Sequence, residues 1–237
     1  MIFDNVTFRA DTYETTVDQD AAPFVAMATL STAAVIAPQM AVAADGDIKA
    51  GESKAAMCIG CHGIVGYQNV FPEVYKVPQI SGQSAKYIES ALNAYKKGDR
   101  KHPTMRGMAG PLSDQDIADL AAFYGSASNG AGAPETAAPA TEVVAALLNK
   151  GGCVACHGVN YSKPLDPSYP KLAGQHADYL YAALRAYNIQ GNAVVGRNNA
   201  IMGGVTGQYS NAELKALADY LASLKGDLST KPQSRFR

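Results

Sequence analysis

The sequence predicts an all-α chain built as two tandem, similar helical units joined by an Ala/Pro/Gly-rich linker. Three observations carry this. Apolar residues recur at helical spacing in several stretches. The stretches of the first half return in the second at nearly constant offsets. No alternating pattern of strand type runs for more than a few residues.

The first unit begins at Asp45. Asp47 is placed to cap a helix through Ile48–Met57. Beyond His62 a loop with Gly63, Gly66, Pro72 and Pro78 leads to Ile80-Ser81-Gly82-Gln83, which opens a second helix. Tyr87, Ile88, Ala91, Leu92 and Tyr95 form its apolar stripe, and Gly98 is its stop signal. Ser113 caps a closing helix with Asp114 and Asp116 at its positive end. That helix is expected to bury Ile117, Leu120, Ala121 and Tyr124.

Residues 126–141, SASNGAGAPETAAPAT, have linker composition. Thr141 then caps a helix with Val143, Val144, Leu147 and Leu148. Tyr179, Leu180, Ala183, Leu184 and Tyr187 repeat the stripe of the first unit at an offset of 92. Ser210-Asn211-Ala212-Glu213 is a capping box that opens the last helix. The boundaries expected are 45–125 and 142–226 for the two units, 126–141 for the linker and 227–237 for a polar, fraying tail.

Cys58-Ile59-Gly60-Cys61-His62 and Cys153-Val154-Ala155-Cys156-His157 stand 95 residues apart and use all 4 cysteines. C-x-x-C-H is the attachment signature of a c-type haem. Two thiols add across the porphyrin vinyl groups, and the adjacent His is held under the iron. A redox dithiol or half of a zinc site would leave each His unexplained. The expectation is two covalently bound haem c groups: Cys58, Cys61, Cys153 and Cys156 form thioethers, and His62 and His157 are axial ligands. No thiol is left for a disulfide.

The second axial position needs another ligand. Methionine sulfur is soft, favours the ferrous state and suits electron carriers. Superposing Ser113 on Ser210 gives an offset of 97, which places Met105 on Met202 and Met108 on Val205. Met105 and Met202 are therefore the expected ligands and Met108 a core residue. His102 competes in the first unit, but its counterpart region holds no His. His176 reads as a cap or surface residue. The four tyrosines at 87, 95, 179 and 187 read as walls beside the haems, with hydroxyls reaching a propionate or the backbone. Lys96, Lys97, Arg100, Lys101 and Arg106 read as a solvated basic face, or as steering for an acidic redox partner.

Residues 21–44 carry no charge and end in Val42-Ala43-Ala44, suited to signal-peptide cleavage. Residues 1–20 are instead acidic, with Arg9 alone against five carboxylates, whereas a signal n-region is basic. Residues 1–44 are read as a leader, with an uncleaved membrane anchor as the rival. Without Arg9 and the acids at 4, 11, 14, 18 and 20, the 20 bases and 21 acids become 19 and 16, a formal charge of +3. The formal charge of -1 for the whole chain argues against a nucleic-acid partner. Haem attachment of this type takes place across a membrane, so the bacterial periplasm is the expected compartment.

Taken together, the two C-x-x-C-H units, G-Q-x-x-x-Y at 82–87 and 174–179, M-x-G at 105–107 and 202–204, and LSDQDIADLA at 112–121 resemble the dihaem cytochrome c4 family. The resemblance spans about residues 45–225. It implies two class-I-type cytochrome c domains related by a pseudo-twofold, with haems near the domain interface and propionates facing each other. It also implies periplasmic electron transfer from donors such as quinol–cytochrome c reductase towards a terminal oxidase. The acidic leader departs from the family pattern, as does a His-to-Met interval of 45 residues in the second unit against 43 in the first. The alternative is the electron-accepting subunit of a dehydrogenase complex, such as a flavin-dependent sulfide dehydrogenase. Catalysis by the chain itself is not expected: six-coordinate irons offer no open site, and no fifth Cys exists to serve as a thiolate ligand.

Overall fold

The computed structural model describes residues 45–127 and 132–232, and the leader expected at 1–44 lies outside them. In the first half, α1 (Ile48–Lys54) and α2 (Ala56–His62) precede a small hairpin, β1 (Gln68–Asn69) with β2 (Tyr75–Lys76). Helix α3 (Ala85–Lys97), strand β3 (Arg100–Lys101), α4 (Pro103–Ala109) and α5 (Asp114–Ser126) complete it. The second half runs α6 (Glu142–Lys150), α7 (Cys153–His157), α8 (Ala177–Ala186), β4 (Gly196–Arg197), α9 (Ala200–Thr206) and α10 (Asn211–Ser223). No helix among the described residues is long and apolar enough to cross a membrane.

The expected caps form. Asp47 Oδ1 accepts from the Ala50 amide at 2.7 Å. Thr141 accepts from Val144, and Gly98 ends α3 in the left-handed region at φ 88°. Ser113 with Asp116 and Ser210 with Glu213 make reciprocal capping boxes. The first helix departs from expectation. It breaks at the fully buried Ala55, so the haem motif has a short helix of its own.

In the first half, α1 and α3 both pack on α5. The α1–α5 crossing is close because of glycine. A Cβ on Gly51 would stand 2.0 Å from the Asp119 carbonyl oxygen, and one on Gly46 2.1 Å from that of Ala118. Buried Asp119 fastens both ends of α1. Its carboxylate accepts from the Asp47 amide at 2.8 Å and from Lys54 Nζ at 2.5 Å. Ala55, Ile88, Leu120, Ala121 and Tyr124 form the core beneath. The second half has the larger core, with Leu147, Leu148, Leu180, Leu214, Leu217, Leu221 and Leu224 packed around Tyr161.

Residues from the linker and the tail are fastened down. Ala137 and Ala140 pack on the second core, Asn160 donates to the Pro134 carbonyl, and Tyr220 donates to that of Ala138. The tail expected to fray at 227–237 is instead fastened near its start: Leu228 is buried, Asp227 pairs with Lys171, and Ser229 forms a bridge to Ser81 of the first half.

The two halves meet through contacts that exchange equivalent residues. Strands β3 and β4 pair antiparallel, with Arg100 opposite Arg197. Gln83 Nε2 donates to the Lys171 carbonyl at 3.0 Å and its Oε1 accepts from the Lys171 amide at 2.9 Å. Gln175 makes the same pair of bonds to Gln79, at 2.9 and 3.0 Å. Each residue in one bond has its repeat partner in the other, as a twofold relation requires. Glu73 pairs with Arg185 and Asp178 accepts from the Lys76 amide, which adds contacts without a symmetric counterpart.

Candidate functional site

Helix α2 carries the first C-x-x-C-H and α7 the second. Cysteines three apart on a helix share a face, and the His four after the first Cys joins them. All four cysteine side chains are partly accessible. Burial pushes the Cys58 and Cys153 thiols up, so each is held as a neutral thiol in an apolar setting. No group of three or more His, Cys, Asp or Glu side chains among the described residues is arranged to hold a metal ion.

Each His is oriented by one hydrogen bond. His62 Nδ1 lies 2.9 Å from the Pro78 carbonyl oxygen, and His157 Nδ1 lies 3.1 Å from that of Pro170. A carbonyl can only accept, so Nδ1 carries the proton and Nε2 keeps its lone pair. Burial lowers the pKa of both imidazoles and holds them neutral. A neutral imidazole, oriented through Nδ1–H with Nε2 free, is what an iron ligand requires.

Met105 and Met202 are each partly buried, on the short helices α4 and α9. The helices begin alike. His102 Nδ1 accepts from the Met105 amide at 3.3 Å, and Asn199 Oδ1 accepts from the Met202 amide at 2.9 Å. His102 is thus the N-cap residue of α4, at the position Asn199 holds in α9. Sequence reasoning missed both roles, although Asn199 is an ordinary cap type. Met108, expected in the core, is exposed on α4, because that helix turns only part of its short face inward. His176 occupies the N-cap position of α8 but makes no side-chain cap bond.

Arg100 leaves the solvated face expected of it. It donates to the Tyr87 hydroxyl at 2.5 Å and lies over the Tyr95 ring at 5.5 Å. Arg197 does the same with Tyr179, at 3.0 Å, and Tyr187, at 5.5 Å. The Tyr87 and Tyr179 hydroxyls, expected to reach a propionate or the backbone, are instead committed to guanidiniums. Neither arginine pairs with a carboxylate among the described residues. Two half-buried cations at the interface, ringed by tyrosines, match a group that brings its own carboxylates. Large apolar side chains beside the motifs, Ile64 and Val65 in one half and Val154 and Val159 in the other, stay exposed. Cysteine pairs, oriented imidazoles, uncovered apolar surface and unpaired guanidiniums together fit a haem on each motif.

The class defined by this fold and site is a helical protein of two haem-binding domains. The Cytochrome c family model matches residues 48–128 and again 142–225. Cytochrome c4 of Stutzerimonas stutzeri is 34% identical over 198 residues, covering 76% of this chain and 90% of that one. The crystal structure of reduced recombinant cytochrome c4 from Pseudomonas stutzeri superposes with a TM-score of 0.58 at 33% identity, covering 76% of this chain and all of that one. A thiosulfate dehydrogenase electron acceptor of Stutzerimonas stutzeri is 33% identical over 208 residues, covering 81% of this chain and 92% of that one. The chain belongs to the cytochrome c family and, within it, to the dihaem cytochrome c4 family. It is an all-α pair of cytochrome c domains with two covalently bound haem c groups, an electron carrier rather than a catalyst, whose partners are redox proteins.

Proposed function

We propose that both irons are saturated, the first by His62 and Met105 and the second by His157 and Met202, and that the thioethers form at Cys58, Cys61, Cys153 and Cys156. The observation that carries this is duplication. In both halves a proline carbonyl orients the imidazole through Nδ1, and a capped short helix holds a Met at the equivalent position. The haems supply reversible one-electron chemistry. The polypeptide orients each imidazole through Nδ1 and sets tyrosines around Arg100 and Arg197, which would supply counter-charge to haem propionates. The domain limits 45–125 and 142–226 belong to the same reading.

On this reading the chain carries electrons in the periplasm from a respiratory donor to a terminal acceptor such as a haem–copper oxidase. The likeness to a thiosulfate dehydrogenase electron acceptor supports a second reading, an electron-accepting subunit beside a dehydrogenase. Co-purification separates them: a stable dehydrogenase partner selects the second. Export is tested by sequencing the mature amino terminus, expected at Asp45.

Ligation is tested by visible spectroscopy and redox titration of the oxidised protein. A Met–iron charge-transfer band with the intensity of two haems is expected. Met105→His or Met202→His should halve it and lower one potential by on the order of 0.1 V, since axial ligands span about 0.8 V in haem proteins. A full band surviving either change refutes the assignment.

A further inference from the structure

The two proline carbonyls that orient the imidazoles belong to peptide units whose other end is also engaged. The Pro78 carbonyl accepts from His62, and the N–H of the same peptide, on Gln79, donates to Gln175 Oε1 at 3.0 Å. In the other half the Pro170 carbonyl accepts from His157, and the N–H of that peptide, on Lys171, donates to Gln83 Oε1 at 2.9 Å. Both glutamines belong to the opposite half of the molecule from the His they reach.

The orientation of each amide is settled by its neighbours. Gln175 Oε1 also accepts from the His176 amide at 3.0 Å, and its Nε2 donates to the Gln79 carbonyl at 2.9 Å. Gln83 Oε1 likewise accepts from Ser84 at 2.9 Å, and its Nε2 donates to the Lys171 carbonyl at 3.0 Å. A flipped amide would set NH2 against two N–H groups. Both glutamines are 4% exposed, so water does not substitute for them and the local dielectric is low.

We infer that Gln83 and Gln175 are crossed positioning residues: each tunes the axial histidine of the other half through one shared peptide unit. An amide whose N–H is bonded to an acceptor carries more charge on its oxygen, because bonds in a chain polarise one another. A more negative Pro78 oxygen draws the His62 Nδ1 proton further and makes Nε2 a stronger donor. A stronger nitrogen donor stabilises the ferric state. The potential of each haem thereby depends on the partner domain being docked, although neither glutamine is near the His in sequence. The inference rests on the His62 and His157 ligation proposed above.

The test is Gln175→Leu and Gln83→Leu in the full holoprotein, titrated spectroelectrochemically, with NMR signals of the two haems assigned to their halves. Gln175→Leu should raise the potential of the first haem and leave the second. At fixed ambient potential its ferric-to-ferrous ratio should fall about two- to fourfold, or about 18–36 mV at 59 mV per tenfold for one electron. Gln83→Leu should do the converse. The His62 Nδ1–H resonance of the reduced protein should move upfield in Gln175→Leu alone. If either Leu variant does not fold, Gln175→Asn or Gln83→Asn, which withdraws the amide by one methylene, is read instead. Glu73→Ala breaks the Arg185 contact without touching the relay and should shift neither haem this way. A shift confined to the variant's own half, equal shifts in both, an equal shift in Glu73→Ala, or no shift overturns the relay. Loss of His–Met ligation in the unaltered protein would instead overturn the ligation reading, so the two failures are distinct.

Discussion

Substituting Gly51 by Ala should loosen the first domain out of proportion to the single methyl added. The new Cβ would stand 2.0 Å from the Asp119 carbonyl oxygen, 2.6 Å from its carbon and 2.7 Å from the Phe123 Cβ. Two of these atoms are backbone, so no side-chain rotation relieves the clash. Helix α1 has to lift from α5 by more than an ångström. Overpacking of this kind costs about 1–3 kcal/mol. Lifting α1 also stretches the bonds that Asp119 makes to the Asp47 amide and Lys54 Nζ, and one hydrogen bond to a charged group contributes about 1.5–3 kcal/mol. The expected loss is therefore about 2.5–6 kcal/mol. It should be seen in denaturant unfolding of the oxidised holoprotein as a lower midpoint of the first-domain transition. The displacement passes through Ala55 to Cys58, so the first haem's spectrum should broaden with it. Lys215→Ala, which breaks an exposed ion pair with Asp219, sets the baseline at under about 0.5 kcal/mol. A Gly51→Ala loss below about 1 kcal/mol would refute the claim that this crossing needs glycine.

Two further outcomes follow from the same geometry. Lys54, the Asp47 amide and Gln115 hold the Asp119 carboxyl at about 2, below its ordinary 3.8. A carboxylate with a depressed folded pKa contributes its full stability above the unfolded value and loses it as pH falls through the folded one. Acid unfolding of the first domain should therefore steepen between about pH 4 and pH 2, and Asp119→Asn should flatten that limb; an unchanged limb would refute the role of Asp119. Asn199→Ala removes the cap over Met202 and should cost about 1 kcal/mol, read as a lower thermal midpoint of the second domain with the first unmoved; equal shifts in both domains would refute it.

Much of the site was legible in sequence because covalent haem attachment imposes contiguous spacing. Two thiols and an imidazole must reach one macrocycle, so C-x-x-C-H is local, and a repeated chain shows it twice. Helices and caps were legible for a related reason: Asp47, Ser113, Thr141 and Ser210 act within three residues of themselves. Met105 and Met202 could be paired only because the chain repeats, and on their own they resemble any gap-filling methionine.

Tertiary structure alone decided what lies far apart in the chain. Arg100 reads as part of a basic run, yet it turns under Tyr87 and Tyr95, because β3 is carried into the interface by its pairing with β4. Gln83 and Gln175 read as polar residues before helices, yet their partners lie 88 and 96 residues away. The composition of 227–237 suggests a free tail, yet Leu228 is buried and Ser229 is bridged to Ser81, which sequence order does not bring near. Bond chemistry within a few residues is written in local spacing. Which glutamine reaches the peptide behind the other half's histidine is a matter of how two surfaces dock, and only the folded chain carries that.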